Sequence, residues 1–159
     1  MAIYVTSDAH GHVRALDEAL SKISLTSDDT LYVLGDMIDR GPDPVGVINL
    51  VRSLPNARVL KGNHEQIMLD AIIGQDPLDA ETWDINGGWT TRQQLNEMEF
   101  EAYEGLVRWA AALPLYAVVE TAERPYLLVH AGVQTEAARA FLLEHGVDCG
   151  DGRGSGRCR

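Results

Sequence analysis

Gly35-Asp36-Met37-Ile38-Asp39-Arg40-Gly41-Pro42 is the stretch whose reading decides the fold. It follows Leu31-Tyr32-Val33-Leu34, a short apolar run that predicts a buried strand. It precedes Asp43-Pro44, where the residue types predict a helix with Asp43 as cap and Pro44 at the first helical position. Two carboxylates and a guanidinium are thereby placed on a strand-to-helix loop. That is the edge of an α/β sheet at which ligands bind.

The same layout recurs on either side. Ile3-Tyr4-Val5-Thr6 predicts a strand that ends at Ser7-Asp8-Ala9-His10-Gly11, and Val13, Leu16, Ala19, Leu20 and Ile23 follow at helical period. Beyond the opening stretch, Val45, Val47, Ile48, Val51 and Leu54 predict a second helix, which Pro55 stops. Arg58-Val59-Leu60 predicts a third strand closed by Lys61-Gly62-Asn63-His64-Glu65, with a helix over Gln66–Ile73 ending at Gly74. This β-α-β-α-β-α order implies parallel strands with right-handed crossovers.

The second half is less regular. Asp76-Pro77 reads as a loop, and Trp83-Asp84-Ile85-Asn86-Gly87-Gly88-Trp89 as a Trp-bearing segment. A helix is expected from about Glu101 to Leu113, before Pro114. Leu115–Val119 and Tyr126–Val129 then predict two strands, the second delivering His130-Ala131-Gly132, and a helix is expected over Thr135–His145. Past Gly146 only Val147 is aliphatic, so the expectation is a domain over 1–146 and a disordered Gly/Arg-rich tail over 147–159.

At 159 residues and 45% apolar content, the chain has the size and composition of one soluble domain with a real core. Its formal charge of −11 and pI near 4.7 argue against nucleic acid or an anionic membrane as a partner. No apolar run reaches the length of a membrane span. Met1-Ala2-Ile3-Tyr4-Val5 runs into a strand without a basic leader, so a cytoplasmic location is expected. The two cysteines, Cys149 and Cys158, form neither a zinc-type cluster nor a disulfide framework.

Four strand ends therefore deliver Asp8 and His10, Asp36 with Asp39 and Arg40, Asn63 with His64, and His130. Parallel strands align their carboxyl ends along one edge, so these groups can converge. Carboxylates, imidazoles and one amide oxygen suit two borderline divalent ions such as Mn²⁺, Fe²⁺ or Zn²⁺ better than Ca²⁺ or Mg²⁺ alone. Taken singly, Asp8 or Asp36 reads as a helix cap and His10 or His130 as a hydrogen-bonded structural histidine. Taken jointly, four ligand-bearing strand ends point to one metal site.

Ser7-Asp8-Ala9-His10-Gly11, Gly35-Asp36-Met37-Ile38-Asp39-Arg40-Gly41, Gly62-Asn63-His64-Glu65 and His130-Ala131-Gly132 resemble the ordered signature of the metallophosphoesterases. The Asp-Arg-Gly ending, Glu65 and Asn86-Gly87-Gly88-Trp89 are similar to the small bacterial and phage PPP-type serine/threonine protein phosphatases. The resemblance implies an α/β fold with two mixed β-sheets flanked by helices around a dinuclear metal centre. It implies that Asp8, His10 and Asp36 hold one ion, and that Asp36 bridges to a second held by Asn63 and His130. A metal-bridging hydroxide would then attack a phosphorylated protein or peptide. His64 matches the family's general acid, Asp39 the carboxylate that orients it, and Arg40 the phosphate clamp.

The resemblance also implies a further histidine in a Gly-His-Thr-type segment beyond His130. The only later histidine is His145, which reads as a helix-end cap. The second sheet is accordingly expected to be incomplete, and the tail reads as the product of a shifted reading frame or truncated gene. In that case another frame of the downstream DNA encodes a Gly-His-Thr-type continuation. Two alternatives stay open: a dinucleoside polyphosphate hydrolase, in which Asp rather than Glu65 is expected, and an inactive metal- or phosphate-binding remnant. The native metal, tyrosine against serine/threonine preference and oligomeric state are also open.

Overall fold

The computed structural model describes residues 1–74, 76–132 and 143–144. Strands β1 (Ile3–Thr6), β2 (Thr30–Val33) and β3 (Ala57–Val59) form a parallel sheet in the order β1-β2-β3. Val5 pairs with Tyr32, which in turn pairs with Arg58. Leu31 and Val33 alternate onto the inner face, each 1% exposed. The opposite face carries Ile3 and Val5, both of them exposed.

Helices α1 (Val13–Ile23), α2 (Pro44–Ser53) and α3 (Asn63–Ile73) follow the three strands. The Asp43 carboxylate accepts the Gly46 N–H at 2.9 Å and Pro44 opens α2, as its sequence demands. The core joins Leu16, Leu31, Val33, Val47, Ile48 and Met68. Met37 and Ile38, inside the polar loop, are fully buried in it. Burial of that kind stabilises by about 1.5–3 kcal/mol per side chain, which anchors the loop rather than leaving it free.

Two further helices, α4 (Pro77–Ile85) and α5 (Trp89–Asn96), occupy the stretch read as a loop and a Trp-bearing segment. Asp76 is not a loop residue but a cap, accepting the Leu78 N–H at 2.9 Å ahead of Pro77. The Gln94 side chain on α5 accepts the Val45 N–H at 2.9 Å and donates to Asp43 at 3.1 Å, tying α5 to the start of α2. Helix α6 (Phe100–Ala111) follows, and Lys61 N donates to Pro114 O at 2.8 Å. The Lys61 ammonium caps the C-terminus of α6 through Ala111 O at 3.1 Å.

Strands β4 (Tyr116–Glu120) and β5 (Pro125–Val129) pair antiparallel, from Tyr116 opposite Val129 to Glu120 opposite Pro125. Among the described residues the first sheet is parallel and the second two-stranded and antiparallel, and these small sheets with their helices fit the expected α/β metallophosphoesterase fold. Helix α3 begins three residues earlier than the periodicity suggests, at Asn63, because Glu65 folds back onto the Gly62 N–H at 2.8 Å. The helix expected over Thr135–His145 lies outside the described residues except at Leu143 and Glu144. His145, Cys149, Cys158 and the 147–159 tail also lie outside them. No helix among the described residues is long and apolar enough to cross a membrane.

Candidate metal centre

The loops after β1 and β2 run on as a ladder beyond the strands. Asp8 N donates to Gly35 O at 3.2 Å, His10 N to Asp36 O at 2.9 Å and Gly11 N to Met37 O at 2.8 Å. This contact needs bare backbones: a Cβ on Gly41 would lie 2.0 Å from His10 O, and one on Gly35 would lie 2.2 Å from Gly62 N. The glycines of the motif therefore let three loops touch.

That closeness bends the backbone into the left-handed region at Asp8 (φ 57°), His10 (φ 40°), Asp36 (φ 53°), Asp39 (φ 68°) and Arg40 (φ 66°). Among the described residues the one other non-glycine there is Ser24, at the end of α1. Each such residue is strained by about 1–2 kcal/mol, somewhat less for aspartate. Strain of this kind persists only where the surroundings over-determine it, and here it coincides with the candidate site.

The side chains converge on Asp36, which is 3% exposed. Its Oδ2 lies 3.8 Å from His10 Nε2, 4.0 Å from His64 Nε2 and 3.2 Å from His130 Nε2. Asp8 Oδ1 stands 3.9 Å from His10 Nε2. Two groups have their ligand atoms within 4.8 Å of one another: His10, Asp36 and His64, and Asp8, Asp36 and His130. Asp36 belongs to both. Asn63 joins the second group through its Oδ1, 2.9 Å from His130 Nε2.

The residues present fit divalent cations. His10 Nδ1 donates to Ile38 O at 2.8 Å, which fixes the tautomer and turns the Nε2 lone pair toward Asp36. Carboxylate oxygens, an amide oxygen and imidazole nitrogens face one another around Asp36, and such a set of lone pairs is held together by positive charge. Here that charge comes from Arg40, whose Nη1 and Nη2 donate to His10 Nε2 at 2.8 Å and His64 Nε2 at 2.7 Å. Arg40 is itself exposed.

His64 and Asp39 are both fully buried, and His64 Nδ1 donates to Asp39 Oδ2 at 2.7 Å. The His64 backbone N–H donates to Asp36 Oδ1 at 2.9 Å, because His64 sits in the first turn of α3 and not on a loop. Asp39 is held from behind as well. Trp83 Nε1 donates to its two oxygens at 3.0 and 3.2 Å, and the Thr91 hydroxyl donates to Oδ1 at 2.6 Å.

Glu65, Trp83 and Thr91 are the residues that sequence reasoning missed as parts of the site. The fully buried Glu65 carboxylate accepts three backbone N–H groups, from Asp36 (2.9 Å), Met37 (2.8 Å) and Gly62 (2.8 Å). Burial pushes its pKa up against the pull of those three amides. Gly87 O accepts the Arg40 N–H at 3.0 Å, so the Asn-Gly-Gly-Trp segment backs Arg40. The signal for Glu65 was its place three residues after Gly62; Thr91 left none.

The fold and this centre define the class, a calcineurin-like phosphoesterase: the chain matches that family over residues 1–148 and belongs to it. Among curated relatives, a symmetrical bis(5'-nucleosyl)-tetraphosphatase of Proteus mirabilis is 31% identical over 139 residues, covering 84% of this chain and 45% of the relative. The enzyme of the same name from Erwinia tasmaniensis is 29% identical over 136 residues, with the same coverage of 84% and 45%. The chain thus spans about half the length of these relatives. A metallophosphoesterase from Sphaerobacter thermophilus superposes with a TM-score of 0.51 at 28% identity, over 74% of this chain and 42% of that one. A protein serine/threonine phosphatase from Saccharomyces cerevisiae shares the fold, with a TM-score of 0.57 at 21% identity over 83% and 38% of the two chains.

Proposed function

We propose that this chain carries the dinuclear metal site of a phosphohydrolase whose substrate is a dinucleoside polyphosphate. The observation that carries the hydrolase reading is Asp36, which meets Asp8 and His130 on one side and His10 and His64 on the other, with His64 held from behind by the buried Asp39. The substrate class is supported by the curated relatives, which are named as symmetrical bis(5'-nucleosyl)-tetraphosphatases.

Asp8, His10 and Asp36 would hold one ion, and Asp36, Asn63 and His130 the other, with Mn²⁺ as the favoured metal and Fe²⁺ or Zn²⁺ as alternatives. Such a pair supplies a nucleophile at neutral pH and neutralises charge on phosphorus oxygens. The chain's own residues do the rest. Arg40 exchanges its two imidazole contacts for two phosphate oxygens, which its planar fork fits. That exchange frees His64 Nε2 to take up a proton from solvent and pass it to the leaving oxygen. Asp39 holds the ring through Nδ1 and balances the imidazolium.

A second reading, a phosphoprotein phosphatase, is favoured by the Asp39-Arg40-Gly41 ending and by Glu65. The experiment that separates them offers a dinucleoside tetraphosphate and a phosphoseryl peptide to the chain with added Mn²⁺. Release of nucleoside diphosphate with the peptide left intact supports the first reading, and the reverse supports the second. Turnover of neither, nor of p-nitrophenyl phosphate, would leave only the inactive remnant.

A further inference from the structure

Thr91 and Trp83 reach none of the candidate ligands, yet both spend a buried polar hydrogen on Asp39. Thr91 is fully buried and Trp83 is 3% exposed. The Thr91 oxygen closes a loop on one residue: it accepts the Asp39 backbone N–H at 2.9 Å while its hydroxyl donates to Asp39 Oδ1 at 2.6 Å. Trp83 Nε1–H spans both carboxylate oxygens at 3.0 and 3.2 Å. The remaining direction on Oδ2 is taken by His64 Nδ1 at 2.7 Å. Every donor around this carboxylate is therefore fixed, and Asp39 holds its left-handed backbone (φ 68°) inside that clasp.

We propose that Thr91 and Trp83 are positioning residues for the acid step: together they aim Asp39 so that His64 is held with Nε2 facing the reacting phosphorus. Helices α4 and α5 deliver these two hydrogens. Without Thr91 the carboxylate loses one of its anchors and the Asp39 N–H its acceptor, so the carboxylate can rotate about its last bond and release the ring. The inference rests on the proposed acid role of His64, and its test separates the two.

The first measurement needs no turnover. In the full-length chain, proton NMR should show a downfield His64 Nδ1–H resonance, identified by its loss in His64→Asn and shielded from exchange by the buried bond to Asp39. The expectation is that this resonance persists in Thr91→Ser and is broadened by exchange in Thr91→Val and Trp83→Phe. A resonance unchanged in both of the latter overturns the proposal.

The second measurement compares phenyl phosphate, a poor leaving group, with p-nitrophenyl phosphate, a good one, in the presence of Mn²⁺. Thr91→Val and Trp83→Phe should lower turnover of phenyl phosphate by about tenfold, as outer-shell substitutions do, and leave p-nitrophenyl phosphate nearly unchanged. His64→Asn should show the same split, larger, and Thr91→Ser should keep the parent's turnover of both substrates. An equal loss on both substrates in the Thr91 and Trp83 variants means a merely structural role and overturns the proposal. No split in His64→Asn itself overturns the acid role first, and the positioning of that step with it.

Discussion

The Glu65 carboxylate accepts the Asp36 backbone N–H at 2.9 Å, with both residues buried. A side chain on α3 thus sets the height at which Asp36, common to both candidate ligand groups, stands beyond β2. Glu65→Gln replaces one of its oxygens by an NH₂ group that must face an N–H donor. The expected loss is about 1–3 kcal/mol, the penalty for an unpaired buried polar group. That corresponds to a fall in Tm of roughly 2–12 °C for a domain of this size. An unchanged melting curve would show that the three amides find other acceptors.

Asp36 is the one residue common to both candidate ligand groups. Asp36→Asn should therefore abolish paired metal binding, whereas Asp8→Asn should weaken one ion only. Equilibrium dialysis against Mn²⁺ reads the stoichiometry directly. Independent, additive losses in the two variants would remove Asp36 from its bridging position.

Arg40 donates to two imidazoles through separate nitrogens, 2.8 and 2.7 Å away. Its fork is the part that a point charge cannot copy. Arg40→Ala should weaken inhibition by inorganic phosphate by about 10–100-fold, the equivalent of one or two charged hydrogen bonds. Arg40→Lys should recover little of it. Full recovery by lysine would mean that charge alone attracts the phosphate.

Asp29 stands away from the centre and reports on acid stability. Ala2 N donates to its Oδ1 at 2.6 Å, and Thr26 donates to Oδ2 through N (3.0 Å) and Oγ1 (2.8 Å). These bonds, that from Ala2 foremost, hold the Asp29 carboxyl below the ordinary aspartate value. A depressed folded pKa contributes stability above the unfolded value, about 3.9, and loses it as pH falls through the folded value. Asp29→Asn should therefore have a lower urea midpoint than the parent at pH 7, with the gap narrowing below pH ~4. A gap of constant size would show that the carboxylate's charge is irrelevant there.

The parallel β-α-β order and the ligand-bearing loops were legible because strands and glycines leave local marks: Leu31 to Leu34, Gly35 and Gly41 say what they do without their neighbours. Helices α4 and α5 were not, and the reason is visible in what they bury. Helix α4 buries only Trp83, and α5 turns Thr90, Thr91 and Leu95 inward, so neither writes an apolar stripe into the sequence. Thr91 is read correctly only once Asp39 is beside it, 52 positions away. The start of α3 was misplaced because Gly62 has no side chain with which to announce a cap; Glu65 does that work from inside the helix.

Five residues of the centre occupy dihedrals that glycine would adopt without penalty. Arg40 is the clearest case: exposed, at φ 66°, with no place in the core. Arg40→Gly should relieve about 1–2 kcal/mol of strain and return part of it to the greater freedom of the unfolded chain. Set against that relief are the two imidazole contacts, at 2.8 and 2.7 Å, that the variant loses, so it should melt close to the parent's temperature while inhibition by inorganic phosphate weakens. Backbone ease and the geometry of the centre thus pull this loop in opposite directions. A chain built for durability alone would carry glycine at such positions, and the strain at Asp36, Asp39 and Arg40 is what it takes to bring their side chains to one point.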